Sequence, residues 1–128
     1  MTPEIKQRIE QIREGEMPDG WTHVILSDIG RIITGSTPPT SDQECFGNDY
    51  QFITPSDFTE RKYIETTARS ISKKGAKKVE LLPPNTIFVV CIGATVGKTN
   101  LSKCEASCNQ QINAIVPYIP EQSDFLYY

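Results

Sequence analysis

The sequence has no long apolar run, a single histidine and no export-signal pattern, and each absence removes a class of protein. The longest unbroken apolar stretch, Ile87 to Ile92, is six residues, where a membrane helix needs about 20. The opening Met-Thr-Pro-Glu-Ile-Lys is charged where a secretory leader would carry an apolar segment. Together these predict a soluble, cytoplasmic protein. The lone histidine, His23, would have to carry any Ser-His-Asp triad, and in a predicted strand it is better read as a half-buried strand residue. Glycine and proline, at 8 and 9 of 128 residues, are too scarce for a collagenous or low-complexity chain. Four cysteines (Cys45, Cys91, Cys104, Cys108) without an export signal read as free thiols. Cys104 and Cys108 have no second ligand pair close by, so no metal is expected. Cys91, inside the apolar run, is expected to be a small core hydrophobe.

What remains is one domain's worth of chain, 38% hydrophobic and 23% charged, long enough to bury a core without staples. Its net charge of −3 hides an asymmetry. Between Arg61 and Lys103 stand nine basic and two acidic residues, a local +7, against −10 elsewhere. An excess of that size is a potential phosphate-binding face, or else a solvated lysine-rich loop.

Thr2-Pro3 starts a helix as N-cap and first residue, Ile5, Ile9 and Ile12 recur at helical spacing, and Gly15 ends it. Residues 1–15 are therefore expected to be a helical appendage, and residues 21–128 the domain proper. Strands are predicted at 22–26, 31–34, 50–54, 66–71, 86–92, 98–101 and 111–116, where β-branched and aromatic residues alternate or cluster between turn residues. Ser36 to Asp42, with two prolines and four hydroxyl side chains, is a loop. Ser72 to Lys78 is a loop or one helical turn. Gly93 and Gly97 bracket a tight reversal. Ser123-Asp124 opens a helix that the chain leaves after one turn, so the chain is expected to be incomplete. The predicted fold class is α+β: a β-rich single domain of short, mostly antiparallel or mixed twisted strands with long polar loops, plus a short N-terminal helix.

Catalytic patterns fail on spacing. Gly93-Ala-Thr-Val-Gly97-Lys98-Thr99 has three residues between its glycines where a phosphate loop has four, and no helix follows. Asp19 with Glu60 and Lys62 spells the letters of a metal-dependent nuclease across a long gap, so that alternative predicts convergence of the three on one ion. Pro83-Pro84-Asn85 reverses the order an adenine methyltransferase requires. A binding surface fits better. Asn109, Gln110, Gln111 and Asn113 place amides in series, suited to adenine edges or to loop backbone. Ser36, Thr37, Thr40 and Ser41 could donate to phosphates or cap their own loop. With the basic segment, these point to nucleic acid; a protein-interaction module with solvated lysines is the other alternative.

The blocks Gly35-Ser-Thr-Pro38, Tyr50-Gln-Phe-Ile-Thr-Pro55-Ser-Asp57 and Ile71-Ser72 open an ordered pattern. It continues with Pro84-Asn-Thr-Ile87, Gly93-Ala-Thr-Val-Gly97-Lys98 and Asn109-Gln110-Gln111-Ile112-Asn113-Ala114. From Trp21 to Tyr128 the succession resembles the specificity subunit of type I restriction-modification enzymes. The resemblance implies a target recognition domain that reads half of a bipartite DNA sequence and is not itself catalytic. It implies no cofactor of its own. Its partners would be double-stranded DNA, methyltransferase (modification) subunits that use S-adenosylmethionine, and ATP-driven restriction subunits. Such subunits carry two recognition domains joined by long helical spacers, and this chain stops inside the first.

Members of that family read different sequences, so shared motif residues cannot carry the code. Gly35, Pro38, Pro55, Gly93, Gly97 and Gln110 are thus expected to be scaffold. Specificity is expected between the motifs, chiefly in 58–78 and also in 99–107. The expected base contacts are Arg61, Tyr63, Arg69 and Lys74, arginine being favoured because its fork matches guanine O6 and N7. The expected phosphate contacts are Lys73, Lys77, Lys78 and Lys98.

Overall fold

The computed structural model describes residues 18–128 continuously, with positions 2–4, 6, 7, 10 and 15 before them. The expected stripe of Ile5, Ile9 and Ile12 lies outside the described residues.

A single helical turn, α1 (Leu26–Ile29), leads into β1 (Gly30–Thr34). After the 36–42 loop, a 3-10 turn η1 (Gln43–Cys45) opens β2 (Phe46–Ile53), and a second turn η2 (Pro55–Asp57) closes it. Two short strands, β3 (Tyr63–Ile64) and β4 (Arg69–Ile71), precede helix α2 (Lys73–Ala76). The chain then lays down β5 (Ile87–Val90), β6 (Thr99–Ser102), β7 (Ala106–Cys108) and β8 (Ile112–Pro117). It finishes with η3 (Pro120–Gln122) and α3 (Ser123–Tyr127).

These strands form two sheets, one of five strands in the order β1-β8-β5-β6-β3 and one of three in the order β4-β2-β7. Most neighbours are antiparallel. The exceptions are β3 with β6 and β2 with β7, which are parallel. The fold is α+β with mixed sheets. β5 explains why its sequence is apolar without interruption. Phe88 and Val90 join the main core with Ile53, Phe58, Ile64, Leu82 and Ile112. Ile87, from the opposite face, packs with Leu101 and Ile115 beneath Leu126 and Tyr127 of α3. A strand covered on both faces has no polar side to show.

The predicted reversal is a β5–β6 hairpin with Gly93 at φ +113° and Gly97 at φ +96°. Side chains rarely adopt such angles, which is why both positions are glycine. Another close approach lies beside the three-stranded sheet. Gly75 of α2 lies so near η1 that a Cβ there would stand 2.0 Å from the Cys45 carbonyl oxygen.

Several expectations change. Residues 22–26 form no strand. They approach α1, where the Asp28 carboxylate accepts from the Ile25 amide, a local polar bond that competes with a sheet ladder. The 86–92 strand ends at Val90, because Cys91 and Ile92 already belong to the hairpin turn. Cys91 is therefore exposed and not a core residue, whereas Cys45 and Cys108 are buried. The strand expected at 50–54 begins four residues earlier, at Phe46, across a bulge where Phe46 and Tyr50 both pair with Ile71. That irregularity breaks the alternation on which the expectation rested. Finally, β3 and β7 were not expected as strands: two or three residues carry no readable period.

Candidate nucleic-acid interface

Residues 58–68 run from the three-stranded sheet to the edge of the five-stranded sheet and back. Their backbone is held from beneath by buried polar side chains. Asp57, capping η2, accepts through one oxygen from the Thr54 amide (2.8 Å) and hydroxyl (3.1 Å). Its other oxygen accepts from the Ala68 amide at 2.9 Å. Asn100 of β6 is fully buried. Its Oδ1 accepts from the Thr59 amide at 2.9 Å, and its Nδ2 donates to the carbonyls of Thr59 (3.3 Å) and Arg61 (2.5 Å). The Leu101 amide donates to the Lys62 carbonyl at 2.8 Å, and β3 then continues the ladder along β6. Farther on, Gln51 Nε2 donates to the Glu65 carbonyl at 3.1 Å. Above this floor lies an open cleft of about 620 Å³ lined by Ser56, Thr59, Glu60, Arg61, Glu65 and Thr66.

Four of the nine basic residues in the positive segment are already engaged within the chain. Arg69 stacks its guanidinium over Phe46 (4.3 Å to the centroid) and Phe52 (5.8 Å). Lys74 bridges Asp42 (2.8 Å) and Glu44 (2.9 Å), and these two hydrogen bonds raise its pKa above the usual lysine value. Lys103 pairs with Glu65 at 2.7 Å and lies over Tyr63. Lys62 pairs with Asp124 at 2.6 Å among the rings of Tyr63, Tyr127 and Tyr128. Its ammonium is thereby held above its ordinary pKa, chiefly by the Asp124 hydrogen bond.

Among the described residues, the side chains of Arg61, Lys73, Lys77, Lys78 and Lys98 make no hydrogen bond, ion pair or ring contact. Position sorts these five into three groups. Lys73, Lys77 and Lys78 lie on or just after α2, whose N-cap Ser72 accepts from the Gly75 amide at 3.1 Å and which packs on η1 and β2. Arg69 and Lys74 share that edge. Arg61 and Tyr63 belong instead to the approach to β3 and to β3 itself, four residues (65–68) away along the chain from the first edge. Lys98 stands apart from both groups, in the β5–β6 turn.

Of the expected scaffold residues, Gly35 is pressed against the β7–β8 connection. A Cβ there would fall 2.1 Å from the Asn109 carbonyl oxygen. Thr37 Oγ1 donates to Gln110 Oε1 at 2.7 Å, so two motif blocks separated by seventy-three residues meet. Pro38 is buried beside them, and Pro55 opens η2. Gly93 and Gly97 shape the hairpin described above.

A metal-dependent nuclease would require Asp19, Glu60 and Lys62 to converge. Lys62 is occupied by Asp124 and its tyrosines, and among the described residues no three His, Cys, Asp or Glu side chains are grouped as metal ligands. Burial pushes the Cys108 thiol up to about 12, far from the thiolate a nucleophile needs.

Residues 18–128 match the family model of the type I restriction modification DNA specificity domain. The chain belongs to this family. It is similar to the type I restriction enzyme HindI specificity subunit of Haemophilus influenzae, 39% identical over 87% of this chain. It is also similar to the MjaIX specificity subunit of Methanocaldococcus jannaschii, 33% identical over 89% of the chain. The chain spans only 24% and 27% of the lengths of those two curated relatives. Among solved structures it is similar in fold to the HsdS subunit from Thermoanaerobacter tengcongensis, with a TM-score of 0.56 at 19% identity, covering 89% of this chain and 30% of that one. A structure described as part of a type I R-M system assembly matches with a TM-score of 0.59 at 21% identity, again over 89% and 30% of the two chains.

Within this specificity domain, the residues that hold the 58–68 loop escaped sequence reasoning. Asn100 carried one usable signal: asparagine is depleted in strands, yet it stands inside Lys98 to Leu101, a predicted strand. A polar amide in a strand interior points to a backbone that needs it. Asp57 stands inside a motif block, but nothing local marks its role, because its partner amide at Ala68 is set by the fold.

Proposed function

We propose that this chain is the DNA-reading part of a type I restriction-modification specificity subunit. It recognises one half of a bipartite duplex sequence and breaks no bond itself. Residues 21–128 act as the target recognition domain. The observation that carries this is the match of a DNA specificity family over residues 18–128, in a chain that leaves Arg61 before β3, Lys73, Lys77 and Lys78 at α2, and Lys98 in the β5–β6 turn without partners among the described residues. Arg61, Tyr63, Arg69 and Lys74 are proposed as base contacts, with Lys73, Lys77, Lys78 and Lys98 as phosphate contacts. Gly35, Pro38, Pro55, Gly93, Gly97 and Gln110 are proposed as scaffold. Arg61 is favoured for base reading because its fork is free and its backbone is fixed. Lys74 and Arg69 must first give up partners of their own.

Methyltransferase and restriction subunits are the proposed partners of the longer assembly, in the cytoplasm. No cofactor is required for reading. Among the described residues no helix is long and apolar enough to cross a membrane. The test is titration of the chain with random-sequence duplex over a range of salt. Binding should weaken steeply as salt rises, because each neutralised phosphate releases counterions. Affinity indifferent to salt, or absent at low ionic strength, would refute the proposal and favour a protein-interaction module.

A further inference from the structure

Asn100 lies outside every motif block, yet it is fully buried and each of its three side-chain hydrogen bonds goes to the backbone of the proposed reading loop. Its amide pairs with Thr59 in both directions, as one strand residue pairs with another, and it also holds the Arg61 carbonyl. The next residue of β6, Leu101, takes the Lys62 carbonyl. The backbone from 59 to 62 is thus fixed from below, leaving the Arg61 side chain without a partner among the described residues. A guanidinium fork discriminates bases only when its root is held in place; a mobile root spreads the same charge over many phosphates.

We infer that Asn100 is a positioning residue for DNA sequence reading, holding the 59–62 backbone so that Arg61 addresses base edges rather than the phosphate backbone. This rests on the DNA-reading function proposed above. It assigns discrimination, as distinct from affinity, to a residue that touches no DNA. The conservative change is Asn100→Asp, which keeps an acceptor for the Thr59 amide. It removes both donated bonds and sets a carboxylate against the two carbonyls.

The experiment is selection from a pool of randomised duplexes, read by sequencing, with native chain, Asn100→Asp, Arg61→Ala and the double variant. Asn100→Asp should lower enrichment of the preferred sequence about tenfold, as Arg61→Ala does, and the double variant should be no worse than either. Low-salt affinity for unselected duplex should stay within about twofold of native for Asn100→Asp. Full enrichment by Asn100→Asp, or strictly additive losses in the double variant, would overturn the inference alone. A native chain that enriches nothing would overturn the reading function and this inference with it. Amide hydrogen exchange on the native chain decides the clamp even if Asn100→Asp does not fold. The Thr59 and Ala68 amides, held by buried side chains, should exchange at least about tenfold more slowly than that of Glu60. Equal rates would overturn the clamp.

Discussion

The 58–68 loop and the 72–78 lysine segment belong to one stretch of positive charge, but they are built in opposite ways. In the first, buried neutral and acidic side chains hold the backbone, and the cation at Arg61 is left over. In the second, a turn of helix is set against η1 by the close approach of Gly75, and one cation, Lys74, is itself part of the fastening. A fixed backbone with a free fork suits base reading, which needs angstrom-level placement. A short helix with several free lysines suits the phosphate backbone, which tolerates imprecision. The same charge thus divides into discrimination and attraction.

The largest effect should come from Gly75→Ala, which strikes the second region only. The new Cβ would stand 2.0 Å from a backbone oxygen that no side-chain motion can relieve. The expected loss is about 3 kcal/mol by chemical denaturation, in line with severe steric substitutions. Amide exchange should rise through α2 and leave Thr59 protected. A loss below about 0.5 kcal/mol would mean that α2 does not need this contact.

Next in size, two arginines from the two regions should part company. Arg69→Ala should cost about 0.5–1 kcal/mol of stability, because its guanidinium covers Phe46 and Phe52. Arg61→Ala should change stability by no more than about 0.5 kcal/mol while reducing sequence enrichment. Melts and selections on the same samples check both. Arg61 effects confined to stability would reverse the roles assigned here.

How much of this was legible beforehand follows from where the determining interactions lie. The β5–β6 hairpin and β8 were readable because their signals are local: Gly93 and Gly97 for the turn, and a continuous apolar run for a strand buried on both faces. The motif blocks gave the family because each is a short turn or strand with fixed letters. The state of the basic residues was not readable. Lys62 finds Asp124 sixty-two positions away, and Lys74 finds Asp42 thirty-two positions away. No composition count distinguishes a lysine paired across the fold from one left in water. Asn100 shows the same limit, since its bonds span about forty residues. The apolar run also misled at Cys91, because hydrophobicity does not mark where a strand leaves its sheet.

A smaller effect sharpens the contrast inside the lysine segment. Lys77→Ala should weaken binding to all duplexes alike and lower the slope of log affinity against log salt by about one unit. Lys74→Ala should lower it by less, because that ammonium is already neutralised by Asp42 and Glu44. Equal slopes for the two variants would show that DNA displaces the carboxylates. A Lys77 effect that varied with target sequence would move it from phosphate to base contact.

The smallest effect separates the regions by acid. The Asp42 carboxyl is held below its ordinary value of 3.8, chiefly by the hydrogen bond from Lys74, with the Glu44 amide assisting and partial burial opposing. A carboxyl depressed in the folded state stabilises the fold fully above its unfolded value. That contribution drains away as pH falls through the lower folded value, since the unfolded chain takes up the proton first. The stability difference between native chain and Asp42→Asn should therefore be constant near neutrality and shrink below pH 3.8. The pair is largely exposed, so added salt should shrink it too. Asn100 has no proton to gain. The destabilisation caused by Asn100→Ala should accordingly stay level over the same acid range and in the same salt. Unfolding curves for both variants along one pH series make the comparison. If the Asp42→Asn difference were as flat as that of Asn100→Ala, the carboxylate would not be fastening the lysine segment, and the two regions would be held by the same kind of bond after all.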